Sequence, residues 1–151
     1  MKTIYFDMDG TIANLYAVNG WLEKLRAFDA TPYAEASPMV NMALLARMLN
    51  KAKANGYRVG IVSWLSKEPT PQYDNAVTKA KLQWLRKHLK SVEFDEIHII
   101  PHGYPKFLVV ADANGILFDD EEANRKAWMS NSDTALAFNE TNIIEILKAL
   151  K

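Results

Sequence analysis

The chain has 151 residues, in which 18 lysines and arginines balance 18 aspartates and glutamates, and it contains no cysteine. This length suits one domain, and the balanced charge gives no overall attraction to nucleic acid or to a membrane surface. The lack of cysteine excludes disulfides, thiolate metal sites and a cysteine nucleophile. No apolar run approaches the ~18 residues of a membrane span, and the N-terminus is unlike a signal peptide, so we expect a cytoplasmic protein.

Predicted strands and helices alternate along the chain. Gly56 is expected to end the second predicted helix, and Thr141 to cap the last one. Strands are predicted at 2–6, 57–62, 94–100, 116–118 and 134–138, helices at 19–28, 39–54, 74–89, 106–113, 121–129 and 141–150, and turn-rich or proline-containing loops at 29–38 and 67–73. This alternation predicts an α/β domain whose mainly parallel sheet is covered by helices on both faces.

The first predicted strand ends in the sequence DMDGT, residues 7–11. Because side chains alternate along an extended chain, Asp7 and Asp9 are expected to point the same way while Met8 points back. Two carboxylates held together need a cation, a shared proton or both. Ligands of parallel sheets bind beyond the carboxyl ends of the strands, so this pair marks a candidate site. Gly10 is expected to permit a backbone turn there.

Polar residues also follow the other predicted strands. Ser63 comes after the second strand, Lys106 comes after the third, and Asp119 and Asp120 come after the fourth. The carboxyl ends of parallel strands share one edge of the sheet, so we expect these side chains to converge with the DMDGT aspartates.

These four elements, in this order, resemble the haloacid dehalogenase (HAD) superfamily of phosphotransferases. The sequences PHGYPK at 101–106 and FDDEEANRKAW at 118–128 are most similar to its 5'-nucleotidase-related branch. The resemblance covers nearly the whole chain. It implies a single HAD-like domain over 1–151, built as a Rossmann-like three-layer sandwich, with a small helical cap insertion at about 13–38.

Phosphoryl transfer explains why these residue types occur together. Asp7 is assigned as the nucleophile that forms an aspartyl phosphate, as the first aspartate does in similar proteins. Asp9 is expected to protonate the leaving oxygen and then to deprotonate water, which requires a raised pKa. Ser63 supplies a hydroxyl donor to the phosphoryl group, and Lys106 offsets its negative charge. Thr11 belongs with Gly10 to the predicted substrate-binding residues.

Magnesium is the cation that suits this set of oxygen ligands. The resemblance implies ligation by Asp7, by the backbone carbonyl of Asp9 and by the paired acids Asp119 and Asp120. Asp120 is favoured as the direct ligand and Asp119 as the water-mediated one, although the sequence leaves their order open. Asn124 is expected to reach back and steady this loop.

For several residues the sequence allows both a functional and a structural role. Lys79 and Lys81 compete with Lys106 as the catalytic lysine, but they lie in an amphipathic helix and are expected to face solvent. Trp64 is either a wall of the substrate pocket or a core residue. His102 is expected to be structural or solvated.

The most direct functional hypothesis is a Mg²⁺-dependent phosphomonoesterase acting on a nucleotide or a similar small phosphate ester. The interval 12–38 has room only for a small cap, with the aromatic residues Tyr16, Trp21, Phe28 and Tyr33. Such a site is open to a macromolecular phosphate, or it is closed by a second subunit in a homo-oligomer. The alternatives are therefore a phosphatase acting on nucleic-acid ends, which the neutral charge disfavours, and a non-catalytic phosphate- or nucleotide-binding regulatory module.

Overall fold

A five-stranded parallel sheet forms the centre of the protein, seen in a computed structural model that describes residues 2–68 and 70–150. In space the strands follow the order β5-β4-β1-β6-β7. They are β1 (Thr3–Phe6), β4 (Arg58–Trp64), β5 (Glu96–Ile100), β6 (Ile116–Phe118) and β7 (Leu136–Phe138). The central strand β1 is buried along its whole length, which is why it reads as a continuous apolar run rather than an alternating one.

Helices cover both faces of this sheet, as the alternating sequence predicts. On one face Ile4 and Phe6 pack in a core with apolar residues of three helices, whereas on the other face Tyr5 packs against Trp128. The four longer helices of the chain are α3 (Met42–Ala54), α4 (Pro71–His88), α5 (Glu122–Ser130) and α6 (Ile143–Ala149). The fold is thus an α/β three-layer sandwich around a parallel sheet, as expected from the sequence.

The chain between β1 and α3 forms a small two-stranded sheet and short helices. It begins with β2 (Ala13–Asn14) and ends with β3 (Ser37–Pro38), which pair antiparallel in a small second sheet. Between them lie a 3₁₀ turn at Leu15–Ala17 and the helices α1 (Trp21–Arg26) and α2 (Thr31–Glu35). We refer to residues 13–38 as the crossover segment.

The crossover segment contains more regular structure than predicted. The prolines at 29–38 indicated a loop, but Pro32 occupies the first turn of α2, where a missing N–H costs nothing. The loop predicted at 67–73 from its prolines was also partly wrong. The helix α4 already begins at Pro71, and Thr70 caps it by accepting a hydrogen bond from the Tyr73 amide. Pro69, which belonged to the predicted loop, lies outside the described residues.

Two further predictions at element ends were wrong. Residues 106–113 form only a 3₁₀ turn at Lys106–Leu108 rather than a helix, consistent with the β-branched pair Val109 and Val110. Thr141 does not cap α6, because Asn139 accepts from the Thr141 amide and a 3₁₀ turn precedes the helix. Within the described part of the chain, no helix combines the length and apolarity needed to cross a membrane.

Candidate active site

A tight turn carries the DMDGT aspartates out of the carboxyl end of β1. The Asp7 amide donates to the Phe118 carbonyl at 2.9 Å, which continues the β1–β6 pairing by one residue. The Met8 carbonyl then accepts from three successive amides, those of residues 11–13, at 2.9 to 3.1 Å. Gly10 has a φ of +79°, a backbone conformation that suits glycine. The turn brings both Asp7 and Asp9 to the lining of one cavity.

Lys106 connects the first aspartate to the paired acids. Its Nζ atom lies 3.0 Å from Asp7 Oδ1 and 2.7 Å from Asp119 Oδ2, and the lysine is almost fully buried. Burial disfavours the charged ammonium, but Asp7 and Asp119 outweigh that effect and raise the pKa of Lys106. The ammonium therefore provides a permanent positive charge between two buried carboxylates.

Asp119 and Asp120 use their oxygens differently. Asp119 is 0 % exposed, with Oδ1 accepting from the Glu121 amide and Oδ2 accepting from both Lys106 and Asn124. The contact with Asn124 places that side chain where the sequence analysis expected it. Asp120 is only partly buried, lines the cavity and lies 3.2 Å from the Thr11 hydroxyl. Thus Asp119 is held firmly, whereas Asp120 faces the open space.

Three carboxylates gather closely enough to hold a metal ion. Ligand oxygens of Asp7, Asp119 and Asp120 all lie within 4.8 Å of one another. Burial and the charge of Asp7 raise the pKa of both Asp119 and Asp120 above the ordinary carboxylate range. This crowding of like charges is what a hard divalent cation relieves, so the donor set fits Mg²⁺.

Lys81 is the largest departure from the sequence-based expectation for this region. The residue was expected to face solvent, yet it is 0 % exposed. Its Nζ atom reaches Asp9 Oδ2 at 2.9 Å, Ser63 Oγ at 2.7 Å and the Trp64 carbonyl at 2.7 Å. Burial raises the pKa of Asp9, Lys81 opposes that shift, and Asp7 adds to it. Lys79, two residues earlier on α4, is exposed as expected.

A sequence signal for Lys81 existed. Val77, Lys81 and Leu85 follow one another at intervals of four residues, which places the lysine in the middle of the apolar stripe of α4. A cation at such a position requires a buried anion, and Asp9 is that anion.

Ser63 and Trp64 lie at the carboxyl end of β4. The strand runs through both residues, two residues further than predicted, and Ser63 is fully buried. The Trp64 indole donates to the Tyr104 carbonyl at 2.8 Å, and its ring lies 4.7 Å from the ring of His102. Trp64 is partly exposed and lines the cavity, as does His102, so the two rings form part of its wall.

The cavity above these residues measures about 330 Å³. Its floor contains Asp7, Asp9, Lys106 and Asp120, and the crossover segment forms the opposite wall. That wall is largely aromatic and apolar, with one arginine; its members include Leu15, Tyr16, Trp21, Leu22, Arg26 and Tyr33. The predicted residues therefore meet at one concave site that combines charged groups with aromatic surfaces.

Comparison with known proteins gives a structural likeness rather than a sequence match. No protein-family model matches the chain, and no curated protein matches its sequence significantly. The D,D-heptose 1,7-bisphosphate phosphatase from Burkholderia thailandensis is similar with a TM-score of 0.50 and 14 % identity, over 86 % of this chain and 73 % of that chain.

Two other solved structures show weaker likenesses. The D,D-heptose 1,7-bisphosphate phosphatase from B. bronchiseptica, complexed with magnesium and phosphate, has a TM-score of 0.49 and 16 % identity, over 92 % of this chain and 79 % of that chain. The HAD domain of the effector protein Lem4 from Legionella pneumophila has a TM-score of 0.43 and 13 % identity, over 91 % and 84 % respectively. The observed sheet and the first of these likenesses together establish that the chain has the HAD-like Rossmann-type fold.

Proposed function

We propose that the protein is a magnesium-dependent phosphatase of the HAD superfamily that hydrolyses a small phosphate ester through an aspartyl phosphate on Asp7. The observation that carries this proposal is the convergence of Asp7, Asp9, Lys106 and Asp120 on one cavity floor. A carboxylate nucleophile can approach a phosphate dianion only where positive charge compensates both. Lys106 supplies part of that charge at 3.0 Å from Asp7.

Magnesium would supply the rest of the compensation by drawing negative charge from the phosphoryl oxygens. Asp7 and Asp120 are its proposed side-chain ligands, together with the Asp9 carbonyl. The proposed water-mediated role of Asp119 is supported by its hydrogen bonds, because Lys106, Asn124 and the Glu121 amide already engage both of its oxygens.

Asp7 and Asp9 have different environments, which supports different roles for them. Asp7 lies beside Lys106, whose ammonium is 3.0 Å from Asp7 Oδ1 and compensates negative charge at the nucleophile. Asp9 has a raised pKa, which suits a group that must hold a proton before it gives the proton to the leaving oxygen. In the second half-reaction Asp9 would take a proton from the water that attacks phosphorus.

The cavity walls support a nucleotide as the substrate. Tyr16 and Trp21 meet edge to face at 5.0 Å on the crossover segment, and Trp64 and His102 stand on the sheet side. Flat aromatic surfaces on both sides of a cavity of this volume suit a planar base better than a small polyol. The likeness to a heptose bisphosphate phosphatase establishes the fold alone, so it does not decide the substrate.

The decisive experiment is a screen of phosphate esters with and without Mg²⁺, using the wild type and Asp7→Asn. The wild type should hydrolyse nucleoside monophosphates faster than phosphorylated oligonucleotides, and only with the metal. Asp7→Asn should fold but lose turnover, since an amide is not a nucleophile here. Asp133→Asn is the matched control. Asp133 is exposed and precedes β7, so it lies toward the amino ends of the strands, whereas the site lies at their carboxyl ends.

Each proposal has its own contradicting result. Undiminished turnover by Asp7→Asn would disprove the assigned nucleophile. Preference for phosphorylated oligonucleotides would favour the macromolecular substrate. A wild type that hydrolyses nothing in the panel would favour a non-catalytic binding module.

A further inference from the structure

Lys81 is a buried cation that the proposed reaction leaves without a role. Lys106 already provides the positive charge next to Asp7 and Asp119. Lys81 lies on the other side of the site and contacts Asp9 and Ser63. The two lysines therefore serve different groups.

The three hydrogen bonds of Lys81 use the full capacity of its ammonium. A lysine ammonium has three N–H donors and no acceptor. Its partners are Asp9 Oδ2, Ser63 Oγ and the Trp64 carbonyl, at 2.7 to 2.9 Å. The Tyr33 ring, 5.1 Å from Nζ, covers the ammonium from the crossover segment. The side chain is therefore fixed in position and has no spare donor for a substrate.

A partner that can only donate determines the direction of the hydrogen bonds around it. Ser63 must accept from Lys81, so the Ser63 hydroxyl proton is free to donate to another group. Asp9 Oδ2 must also accept, so a proton held by Asp9 belongs on Oδ1. Lys81 thereby sets Ser63 as a donor and leaves one defined oxygen of Asp9 for proton transfer.

Stability alone does not explain such a lysine. A buried ion pair gains little over apolar residues of similar volume, because removing both charges from water is costly. The neighbours of Lys81 on α4 include Val77, Ala80 and Leu85, all buried, so an apolar side chain would suit the same stripe.

We propose that Lys81 is a positioning residue that orients the Asp9 carboxyl group and the Ser63 hydroxyl for phosphoryl transfer. This inference rests on the proposed function. Its consequence is that Lys81 matters most when the leaving oxygen needs a proton from Asp9. A p-nitrophenyl ester needs little protonation because its leaving group is a stable anion, whereas an alkyl ester needs it fully.

The test compares Lys81→Met with the wild type on an alkyl phosphate and on p-nitrophenyl phosphate with Mg²⁺. Release of the alcohol or phenol is followed in a single turnover, which isolates the first phosphoryl transfer. General acid catalysis contributes roughly 10²- to 10⁴-fold, so we expect alkyl phosphate cleavage to fall by about 10²-fold. The rate with p-nitrophenyl phosphate should fall at least tenfold less. Lys79→Met, the same change at an exposed position of α4, should leave both rates unchanged.

The ratio of the two rates separates positioning from a merely structural role. Partial unfolding lowers the amount of active protein and reduces both rates by the same factor. Equal losses for both esters, or no loss, in Lys81→Met would therefore overturn the inference while the proposed function stands. A wild type that cleaves neither ester would instead remove the proposed function, and the inference with it.

If Lys81→Met does not fold, Lys81→Ala with added propylammonium replaces it. The ammonium should restore alkyl phosphate cleavage, because it returns the three donors to the vacated space. Propanol, which has a similar size but no charge, should not restore it. Equal rescue by both additives, or rescue by neither, would count against the proposed role.

Discussion

Gly10 offers a way to displace a proposed metal ligand without removing any charged group. A β-carbon at this position would lie 2.4 Å from Asp120 Oδ2 and 2.8 Å from its Cγ. In Gly10→Ala the methyl group would therefore force the Asp120 carboxylate out of its present position. Gly20→Ala is a matched control, since Gly20 also has a positive φ, +71° against +79°, but nothing lies within 4 Å of its added β-carbon.

The two substitutions should have similar costs in stability. A left-handed backbone conformation costs an L-residue about 1–2 kcal/mol, and both positions require one. For a chain of this size, we expect a fall in melting temperature of about 2–8 °C in each variant. The clash in Gly10→Ala adds little, because its two neighbours, the partly exposed Asp120 carboxylate and the exposed Tyr16 ring with Cε2 at 2.9 Å, can both move aside.

Their effects on catalysis should differ strongly. Ordinary contacts begin at 3.4 Å, so the Asp120 oxygen must retreat from 2.4 Å by about 1 Å. A displacement of about 1 Å at a reacting centre costs on the order of 10²-fold in rate. We therefore expect Gly10→Ala to lose about 10²-fold in kcat and to need more Mg²⁺ for half-maximal activity, while Gly20→Ala retains both values.

The assay is hydrolysis of p-nitrophenyl phosphate over a range of Mg²⁺ concentrations, with thermal unfolding measured on the same samples. Equal activity and equal Mg²⁺ dependence in the two alanine variants would refute the reasoning. It would show that the position of Asp120 is not critical for the metal or for the reaction.

Three other changes test the charges and the cavity wall. Lys106→Met should abolish turnover and cost about 3–5 kcal/mol, and Mg²⁺ should raise its melting temperature more than that of the wild type. An equal Mg²⁺ effect on both proteins would contradict this. Burial opposes ionisation of Asp95, but the Val59 amide and Lys53 outweigh it and hold its pKa below the ordinary value. Its stabilising effect is therefore present above the unfolded pKa of about 3.9 and is lost as pH falls through the folded pKa. Between pH 7 and pH 3, roughly the window set by these pKa values, the free energy of unfolding should fall less in Asp95→Asn than in the wild type. Urea unfolding at each pH measures it, and equal falls in the two proteins would contradict the prediction. Trp21→Ala should lower kcat/KM for a nucleoside monophosphate but not for glycerol phosphate, and a parallel loss on both would exclude base stacking.

Most of the sheet and of the residues at its carboxyl edge could be predicted from the sequence, because strands and the polar residues that follow them are local patterns. The five predicted strands all occur, and Asp7, Lys106 and Asp120 meet as the parallel topology requires. The helix α2 was missed because proline disfavours helix interiors yet is tolerated in a first turn. The surroundings of Lys81 were missed because this lysine lies within the helix α4 and not at the end of a strand, so the parallel topology gave no reason to place it beside Asp9.

The paired strands β2 and β3 make the chemistry and the selectivity of the site separable. Ala13 pairs with Pro38 and Asn14 with Ser37, so the chain leaves the sheet and returns to it at nearly the same point. A different loop grafted between these two strands would change the wall that faces the substrate without altering the path of the chain through the catalytic edge. Specificity can therefore diverge, in evolution or in the laboratory, through replacement of about twenty contiguous residues without redesign of the domain.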